Sequence, residues 1–145
     1  MFIGQSHQAL GKANRLPLPV HFRAPLSDGV FITQGFDRNL WVHTARAFRA
    51  ICLRVTSMNI TDPMARLLQR MIIGTATELD MDETGGIHIP QNLREFADLN
   101  DEVILVGQGD YFEVWSPDLW HEQETQLQDA ETNARRFVML DLAMT

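Results

Sequence analysis

One five-residue motif occurs twice in this sequence, with its copies 71 residues apart. The first copy reads Pro19-Val20-His21-Phe22-Arg23 and the second reads Pro90-Gln91-Asn92-Leu93-Arg94, so the proline, an apolar residue and the arginine keep their places. A turn-rich segment precedes each copy (residues 11–18 and 82–89), and a predicted pair of β-strands follows each. A short duplicated unit is typical of a pseudo-symmetric fold in which neither copy buries a complete core alone. We therefore expect the functional residues to lie at positions where the two copies differ.

The two copies predict the same order of strands and short helices. Residues 5–10 read as a strand that leads into a turn at residues 11–14, and prolines make the next segment an edge or irregular strand. The proline of each motif begins a short helix, to about Leu26 in the first copy and to Ala97 in the second. The β-pairs that follow are residues 30–33 with 40–42, and residues 103–106 with 112–115.

Three longer helices are predicted. Apolar residues at i, i+3, i+4 and i+7 from Phe48 to Val55 indicate an amphipathic helix, and Asp62-Pro63 is a typical helix start. Ser116-Pro117 begins the third helix, whose apolar side is expected to run through Trp120, Leu127, Ala130 and Ala134. Residues 135–145 have apolar residues without a regular period, so no structure is predicted for them.

The size and composition fit two small repeats that share one core. The chain has 145 residues, of which 45% are apolar, which is enough for a globular core and argues against disorder. The sequence therefore predicts an α+β protein whose first repeat comprises residues 1–76 and whose second comprises residues 77–145.

The formal charge of −7 is divided unevenly between the two halves. Residues 1–76 contain nine Lys or Arg and three acidic residues, whereas residues 77–145 contain three Arg and sixteen acidic residues. Because charges beyond ~10 Å are largely screened at moderate salt, a phosphate backbone responds to the local charge. The basic half is compatible with a polyanionic partner. The same division also allows the halves to attract each other or a neighbouring subunit.

The sequence argues against several classes of protein. No signal-peptide pattern and no stretch approaching ~18 consecutive apolar residues is present, so we expect a cytoplasmic protein without a membrane partner. Cys52 is the only cysteine, which excludes a disulfide framework and a cysteine-rich zinc site. His121-Glu122 lacks the second histidine of a zinc motif. We expect neither a cofactor nor an enzyme, because no nucleophile, base and oxyanion hole come together.

The tip of the first turn-rich segment is the best candidate for a binding site. Lys12 and Arg15 flank Ala13-Asn14, and residues 1–27 contain no acidic residue. A β-hairpin can enter the major groove, where Arg or Lys bonds to guanine edges while backbone groups bond to phosphates. We therefore predict that Lys12, Ala13, Asn14 and Arg15 contact nucleic acid.

The repeat, this tip and the segment Gly35-Phe36-Asp37-Arg38 together resemble the MraZ family, bacterial transcriptional regulators associated with the division and cell-wall gene cluster. The similarity continues in order and spacing through residues 81–94, 103–108 and 112–115. It implies two intertwined swapped-hairpin repeats of the AbrB/SpoVT type in each chain. It further implies that chains assemble through their helices into rings, which present hairpin loops to repeated sites in promoter DNA.

Both loops depart from the family's recognition loop, which reads Asp-x-Lys-Gly-Arg once per repeat. The first reads Gly11-Lys12-Ala13-Asn14-Arg15 and keeps the arginine, whereas the second reads Asp82-Glu83-Thr84-Gly85-Gly86 and has no basic residue. The resemblance thus implies that Arg15 reads the DNA, and that the second-loop counterpart (Thr84, Gly85 and Gly86) mainly builds the frame. An arginine in place of Gly86 is expected to tighten binding if that loop faces DNA.

These observations predict a nucleoid-associated DNA-binding regulator that acts as a homo-oligomer. One bidentate Arg–guanine pair gives ~1–3 kcal/mol of discrimination, which is modest for a monomer. A ring that presents several loops to correctly spaced sites raises the affinity by ~10² or more. The alternative is an oligomeric structural or protein-interaction ring in which DNA binding is weak or lost.

Overall fold

The computed structural model describes residues 1–142 and contains the two copies as elements in the same order. The last three residues of the predicted second repeat lie outside the described residues. The elements of the first copy are β1 (Gln5–Ala9), β2 (Arg15–Pro17), α1 (Val20–Arg23), β3 (Val30–Gln34), β4 (Leu40–Thr44), α2 (Ala45–Thr56) and α3 (Pro63–Ile72). Those of the second copy are β5 (Thr77–Leu79), β6 (Gly86–His88), α4 (Gln91–Phe96), β7 (Glu102–Gly107), β8 (Tyr111–Trp115), α5 (Pro117–Leu127) and α6 (Ala130–Phe137).

The strands of the two copies exchange partners. In the six-stranded antiparallel sheet, the order is β1-β7-β8-β4-β3-β5. Strand β1 of the first copy therefore pairs with β7 of the second, and β5 of the second pairs with β3 of the first. Strands β2 and β6 form a separate two-stranded sheet. The predicted α+β fold of two intertwined repeats is confirmed by this exchange.

An approximate twofold axis relates the copies. In the small sheet, Leu16 and Ile87 lie opposite each other, and the same 71-residue offset that separates the motifs separates these two residues. In the large sheet, β4 and β8 pair around Trp41 and Glu113. Each copy thus supplies one half of both sheets, as expected for a duplicated unit.

The main core joins one face of the six-stranded sheet to the small sheet, α1 and α4. Alternate strand residues point into it, since successive side chains lie on opposite faces of a sheet. Three phenylalanine rings (Phe2, Phe22 and Phe112) meet there with centroids 4.9 to 5.2 Å apart. Leu16 and Ile87 are fully buried in the same core. Because both copies fill this core, neither copy can complete it alone.

The opposite face of the sheet packs against the longer helices. Phe48 of α2 stacks on Phe31 with ring centroids 4.6 Å apart, and Trp120 of α5 packs on Trp115 at 5.5 Å. His43 is buried on this face, and neither of its ring nitrogens has a hydrogen-bond partner among residues 1–142. Burial lowers the pKa of His43 to about 4, because the charged ring cannot be solvated there.

Two of the predicted helix starts are capped as expected. The Asp62 side chain accepts a hydrogen bond from the Met64 N–H at the start of α3. The Ser116 hydroxyl accepts one from the Leu119 N–H at the start of α5. Both helices have proline at their first position, where its missing N–H has no helical partner to lose.

The single third helix predicted to continue to Ala134 is wrong, since it is divided into α5 and α6. The Asp129 side chain accepts a hydrogen bond from the Thr132 N–H and so starts a new helix. The Asn133 amide donates to the carbonyls of Gln126 and Leu127, at 2.7 and 3.3 Å, which satisfies the end of α5. After α6, a short 3-10 turn (Val138–Leu140) leaves its apolar side chains exposed.

No helix within residues 1–142 has both the length and the apolar character needed to cross a membrane.

Candidate nucleic-acid interface

The pairing of β2 with β6 places the two divergent loops side by side. The first loop (residues 11–15) leads into β2, and the second loop (residues 82–86) leads into β6. Each loop is closed by the same hydrogen bond, from the Gly11 N–H to the Arg15 carbonyl and from the Asp82 N–H to the Gly86 carbonyl, both 2.8 Å long. The loops differ in sequence, but the same backbone hydrogen bond closes both of them.

The first loop turns through two left-handed residues. Ala13 has φ 54° and Asn14 has φ 57°, whereas Gly11 has φ −94°. Asn14 takes the position that glycine has in the family's recognition loop, and asparagine tolerates the left-handed region better than most residues do. The equivalent residue of the second loop, Gly85, has φ 85°. Both loops therefore have a left-handed residue at this position, and the first loop has a second one at Ala13.

Arg15 is paired with a carboxylate of the other loop. Its Nε donates to Oδ2 of Asp82 at 2.7 Å and its Nη2 donates to Oδ1 at 3.0 Å. The same Nη2 donates to the Thr84 hydroxyl at 2.7 Å. The side chains of Arg15 and Asp82 are 29% and 33% exposed, so the pair lies at the surface. The guanidinium is thus held in one orientation by the loop that lacks basic residues.

The electrostatics of the pair follow from these contacts. Hydrogen bonding from Arg15 holds the pKa of the Asp82 carboxyl well below its usual range, and the Gly86 N–H contributes in the same direction. The hydrogen bond to Asp82 in turn raises the pKa of Arg15. Asp82 also accepts from the Thr84 and Gly86 N–H groups, at 3.1 and 2.9 Å. The carboxylate is therefore charged at neutral pH and organises its own loop as well as Arg15.

A side chain at either glycine of the second loop would meet the end of an arginine side chain. A Cβ at Gly86 would lie 2.4 Å from Nη2 of Arg15, and one at Gly85 would lie 2.2 Å from Nε of Arg23. Both glycines are buried, whereas Thr84 is exposed. An arginine in place of Gly86 would displace Arg15 from its position instead of simply adding a second basic group.

Arg23 and Arg94 of the duplicated motif contact and stabilise the loops, a role that was not predicted from the sequence. The Arg94 guanidinium donates to the Asn14 side chain through Nη1 and to the Leu99 carbonyl, at 2.9 Å, through Nε. Arg23 lies against Gly85 and donates to the Leu18 carbonyl at 3.0 Å. Each motif arginine therefore contacts the loop of the other copy. The sequence signal for this shared role is that both copies of the motif have arginine at the same position.

The structure brings most of the predicted site residues together. Arg15 contacts Thr84 and Gly86, Asn14 donates to the Ile89 carbonyl at 3.1 Å, and the Ala13 carbonyl lies 3.0 Å from Nδ1 of His88. Lys12 is exposed at the edge of the group. The predicted binding loop and its second-loop counterpart lie side by side and form one surface, which we call the composite loop surface (residues 11–15 and 82–86).

Comparison with known proteins agrees with this architecture. The profile of the family described as "MraZ protein, putative antitoxin-like" matches the chain twice, over residues 1–71 and 72–140. A protein of Roseiflexus castenholzii named transcriptional regulator MraZ is 39% identical over 137 residues, which is 94% of each chain. Proteins with the same name are 34% identical in Herpetosiphon aurantiacus, covering 83% of this chain and 84% of the relative, and 31% identical in Clostridium acetobutylicum, covering 98% and 100%. With two profile matches that span nearly its whole length, the chain belongs to the MraZ family.

Proposed function

We propose that this protein is a transcriptional regulator that binds DNA through the composite loop surface. The observation that carries the proposal is the position of Arg15, a surface guanidinium held in a fixed orientation by Asp82 and Thr84. Similarity to proteins named transcriptional regulators supports the same function. A fixed guanidinium loses less conformational freedom on contact with DNA than a free one, which favours binding.

The hydrogen bonds of Arg15 define which contacts it offers to DNA. A guanidinium carries five N–H donors. The contacts with Asp82 and Thr84 occupy Nε–H and both N–H groups of Nη2, whereas Nη1 has no partner among residues 1–142. Arg15 therefore presents the two N–H groups of Nη1 to a phosphate or a base edge. A fork-like contact that uses Nη2 requires Asp82 or Thr84 to release it.

The other residues of the surface have distinct proposed roles. Lys12 supplies an exposed positive charge to a phosphate, and the Ala13-Asn14 turn lets the backbone approach closely. Thr84, Gly85 and Gly86 form the second-loop counterpart, which holds Arg15 more than it contacts DNA. We place the boundary between the repeats after residue 76, so that each repeat contributes one loop.

The proposal extends to assembly and target. Chains form a ring whose loops meet repeated sites in promoter DNA, and the regulated genes are those of the division and cell-wall cluster. Such a ring gains affinity by avidity of ~10² or more over a single loop pair. This function places the protein in the cytoplasm, associated with the nucleoid.

The test is a gel shift on the DNA upstream of the protein's own gene, combined with a measurement of oligomer mass. Arg15→Ala is expected to abolish the shift and leave the mass unchanged, because Arg15 lies on the loop surface and away from the longer helices. Arg46→Ala removes an exposed arginine from α2 and serves as the matched control, which is expected to keep the shift. If Arg15→Ala shifts the DNA as the wild type does, the assignment of Arg15 as a DNA contact is wrong.

One observation favours a second function, an oligomeric protein-interaction or structural ring with weak or lost DNA binding. Asp82 neutralises the one arginine that the two loops contain, and the second loop carries Glu83 beside it. This alternative predicts that the wild-type oligomer shifts none of its upstream DNA, even at low salt, where phosphate contacts are strongest.

A further inference from the structure

His88 lies beside the composite loop surface and contacts both loops. It is the last residue of β6 and lies opposite Arg15 in the pairing of β2 with β6. Its Nδ1 is 3.0 Å from the Ala13 carbonyl of the first loop, and its Nε2 is 3.8 Å from Oδ2 of Asp82 in the second loop. Half of the His88 side chain is exposed, so a ligand of the loops can reach the ring. The residue at the same place in the first copy is Pro17, which cannot titrate, so only the second copy has this feature.

The two contacts of the His88 ring define what a proton does there. A carbonyl oxygen only accepts hydrogen bonds, so the contact with Ala13 requires a hydrogen on Nδ1. In the neutral ring, Nε2 then has a lone pair that faces the carboxylate of Asp82. A proton on Nε2 turns this contact into an ion pair, and the charged ring then joins the Ala13 carbonyl to Asp82. Protonation of His88 therefore links the two loops through one side chain.

The charged groups of the two loops and of α4 balance each other. The loops contribute two basic and two acidic residues: Lys12, Arg15, Asp82 and Glu83. Helix α4, which follows β6, contributes Arg94 and Glu95, and these two bind the side chains of Asn14 and Gln91. A proton on His88 therefore changes the formal charge of this region from zero to +1. Because charges beyond ~10 Å are largely screened, a phosphate at the loops responds to this local change.

We propose that His88 is a further DNA-binding residue of the composite loop surface, and that DNA binding is coupled to the uptake of one proton by His88. This inference rests on the proposed DNA-binding function and adds a titratable contact to it. The charged ring attracts a phosphate and gives Asp82 a second cationic partner. Nη2 of Arg15 can then turn from Asp82 to the DNA while the carboxylate keeps a cation beside it. Histidine changes its charge between about pH 5 and 8, so the affinity for DNA depends on pH near neutrality.

Fluorescence anisotropy with labelled upstream DNA at pH 8 and pH 6, at one ionic strength, tests the inference. The affinity of the wild type is expected to rise roughly fivefold from pH 8 to pH 6, within the limit of ~tenfold per pH unit that one proton sets. The direction follows from the charge, because the bound state holds a proton that the free protein gains only as the pH falls.

Two substitutions of His88 separate its charge from its hydrogen bond. His88→Gln keeps an N–H donor for the Ala13 carbonyl and cannot titrate, so its affinity is expected to be equal at the two pH values. His88→Lys carries its charge at both pH values and is expected to bind more tightly than His88→Gln at pH 8. His121→Gln removes a histidine of α5 that is 83% exposed, and this matched control is expected to keep the pH dependence of the wild type. Circular dichroism verifies that the variants fold.

The possible results distinguish this inference from the proposed function. A wild type that binds DNA equally at pH 8 and pH 6 would overturn the inference and leave DNA binding intact. The same conclusion would follow if His88→Gln kept the pH dependence of the wild type, or if His88→Lys bound no more tightly than His88→Gln at pH 8. A wild type that binds no DNA at either pH would overturn this inference and the proposed function together.

Discussion

Arg15 and Asp82 are 67 residues apart in the chain, yet two hydrogen bonds join their side chains at the surface. An exposed ion pair of this type contributes little to stability, so its main consequence is the orientation of the guanidinium. The pseudo-symmetric counterpart of the pair would join Gly86 to Gly11, and glycine has no side chain to form it. The composite loop surface therefore has one oriented arginine, where two complete loops would have two.

A second residue, His43, makes the stability of the protein depend on pH. Burial lowers the pKa of His43 to about 4, whereas a histidine in the unfolded chain has a pKa of ~6.5. As the pH falls below ~6.5 the unfolded chain binds a proton that the folded state excludes, so stability decreases until the pH reaches about 4. The loss is ~1.4 kcal/mol per pH unit within this window.

His43→Phe is expected to remove this loss, because phenylalanine does not titrate. Urea unfolding of the two proteins at pH 7.5, 6 and 4.5 provides the measurement, since every other titrating group is shared. The wild type should lose stability relative to His43→Phe as the pH falls. Parallel dependence on pH in both proteins would show that His43 is solvated or paired in the folded state.

At the scale of elements, the exchange of strands decides how the chain folds. Strand β1 has its partner β7 in the second repeat, and β5 has its partner β3 in the first. The small sheet requires one strand from each repeat. Long-range pairing of this kind must bring distant segments together before it is stabilised, which makes each repeat dependent on the other.

A fragment of residues 1–76 is therefore expected to be unfolded when it is prepared alone. Circular dichroism should show no cooperative thermal transition for this fragment or for residues 77–145. An equimolar mixture of the two fragments should regain sheet structure and a cooperative thermal transition, because β1 and β2 then have their partner strands β7 and β6. A cooperative transition in residues 1–76 alone would mean that one repeat completes its own core.

Local patterns explain why some elements were predictable and others were not. The stripe from Phe48 to Val55 and the cap at Asp62 lie within single elements, and both appear in α2 and α3. The break between α5 and α6 depends on Asn133, which bonds back to Gln126, seven residues earlier, and no periodicity indicates that contact.

The same distinction applies to the site. Arg15 is a candidate on the sequence alone, because it lies in a basic, acid-free segment and matches the family resemblance, and its contact with DNA stays a prediction. Its pairing with Asp82 was not predictable, because the pair depends on the strand register that sets β2 against β6. The bracing of Asn14 by Arg94 depends on the same register, over 80 residues of sequence.

At the scale of the whole molecule, the division of charge has two consequences. The basic residues of the first half include Lys12 and Arg15 at the loops and the arginines of α2 and α3, whereas most acidic residues lie in the second half. Because charges are screened over ~10 Å, these groups act locally. The proposed DNA contact of the loops depends on this local positive charge, and the same division of charge allows the two halves to attract each other or a neighbouring subunit.

The most direct test of DNA binding by the first loop is the salt dependence of affinity. Fluorescence anisotropy with labelled upstream DNA, between 50 and 200 mM salt, gives the slope of log K against log salt concentration for the wild type, Arg15→Ala and Arg46→Ala. Each phosphate contact contributes ~0.9 to the slope. We predict binding at 50 mM by the wild type and Arg46→Ala with equal slopes, and a shallower slope and large loss of affinity for Arg15→Ala. Identical curves for the wild type and Arg15→Ala, or no binding by the wild type at 50 mM salt, would contradict the account.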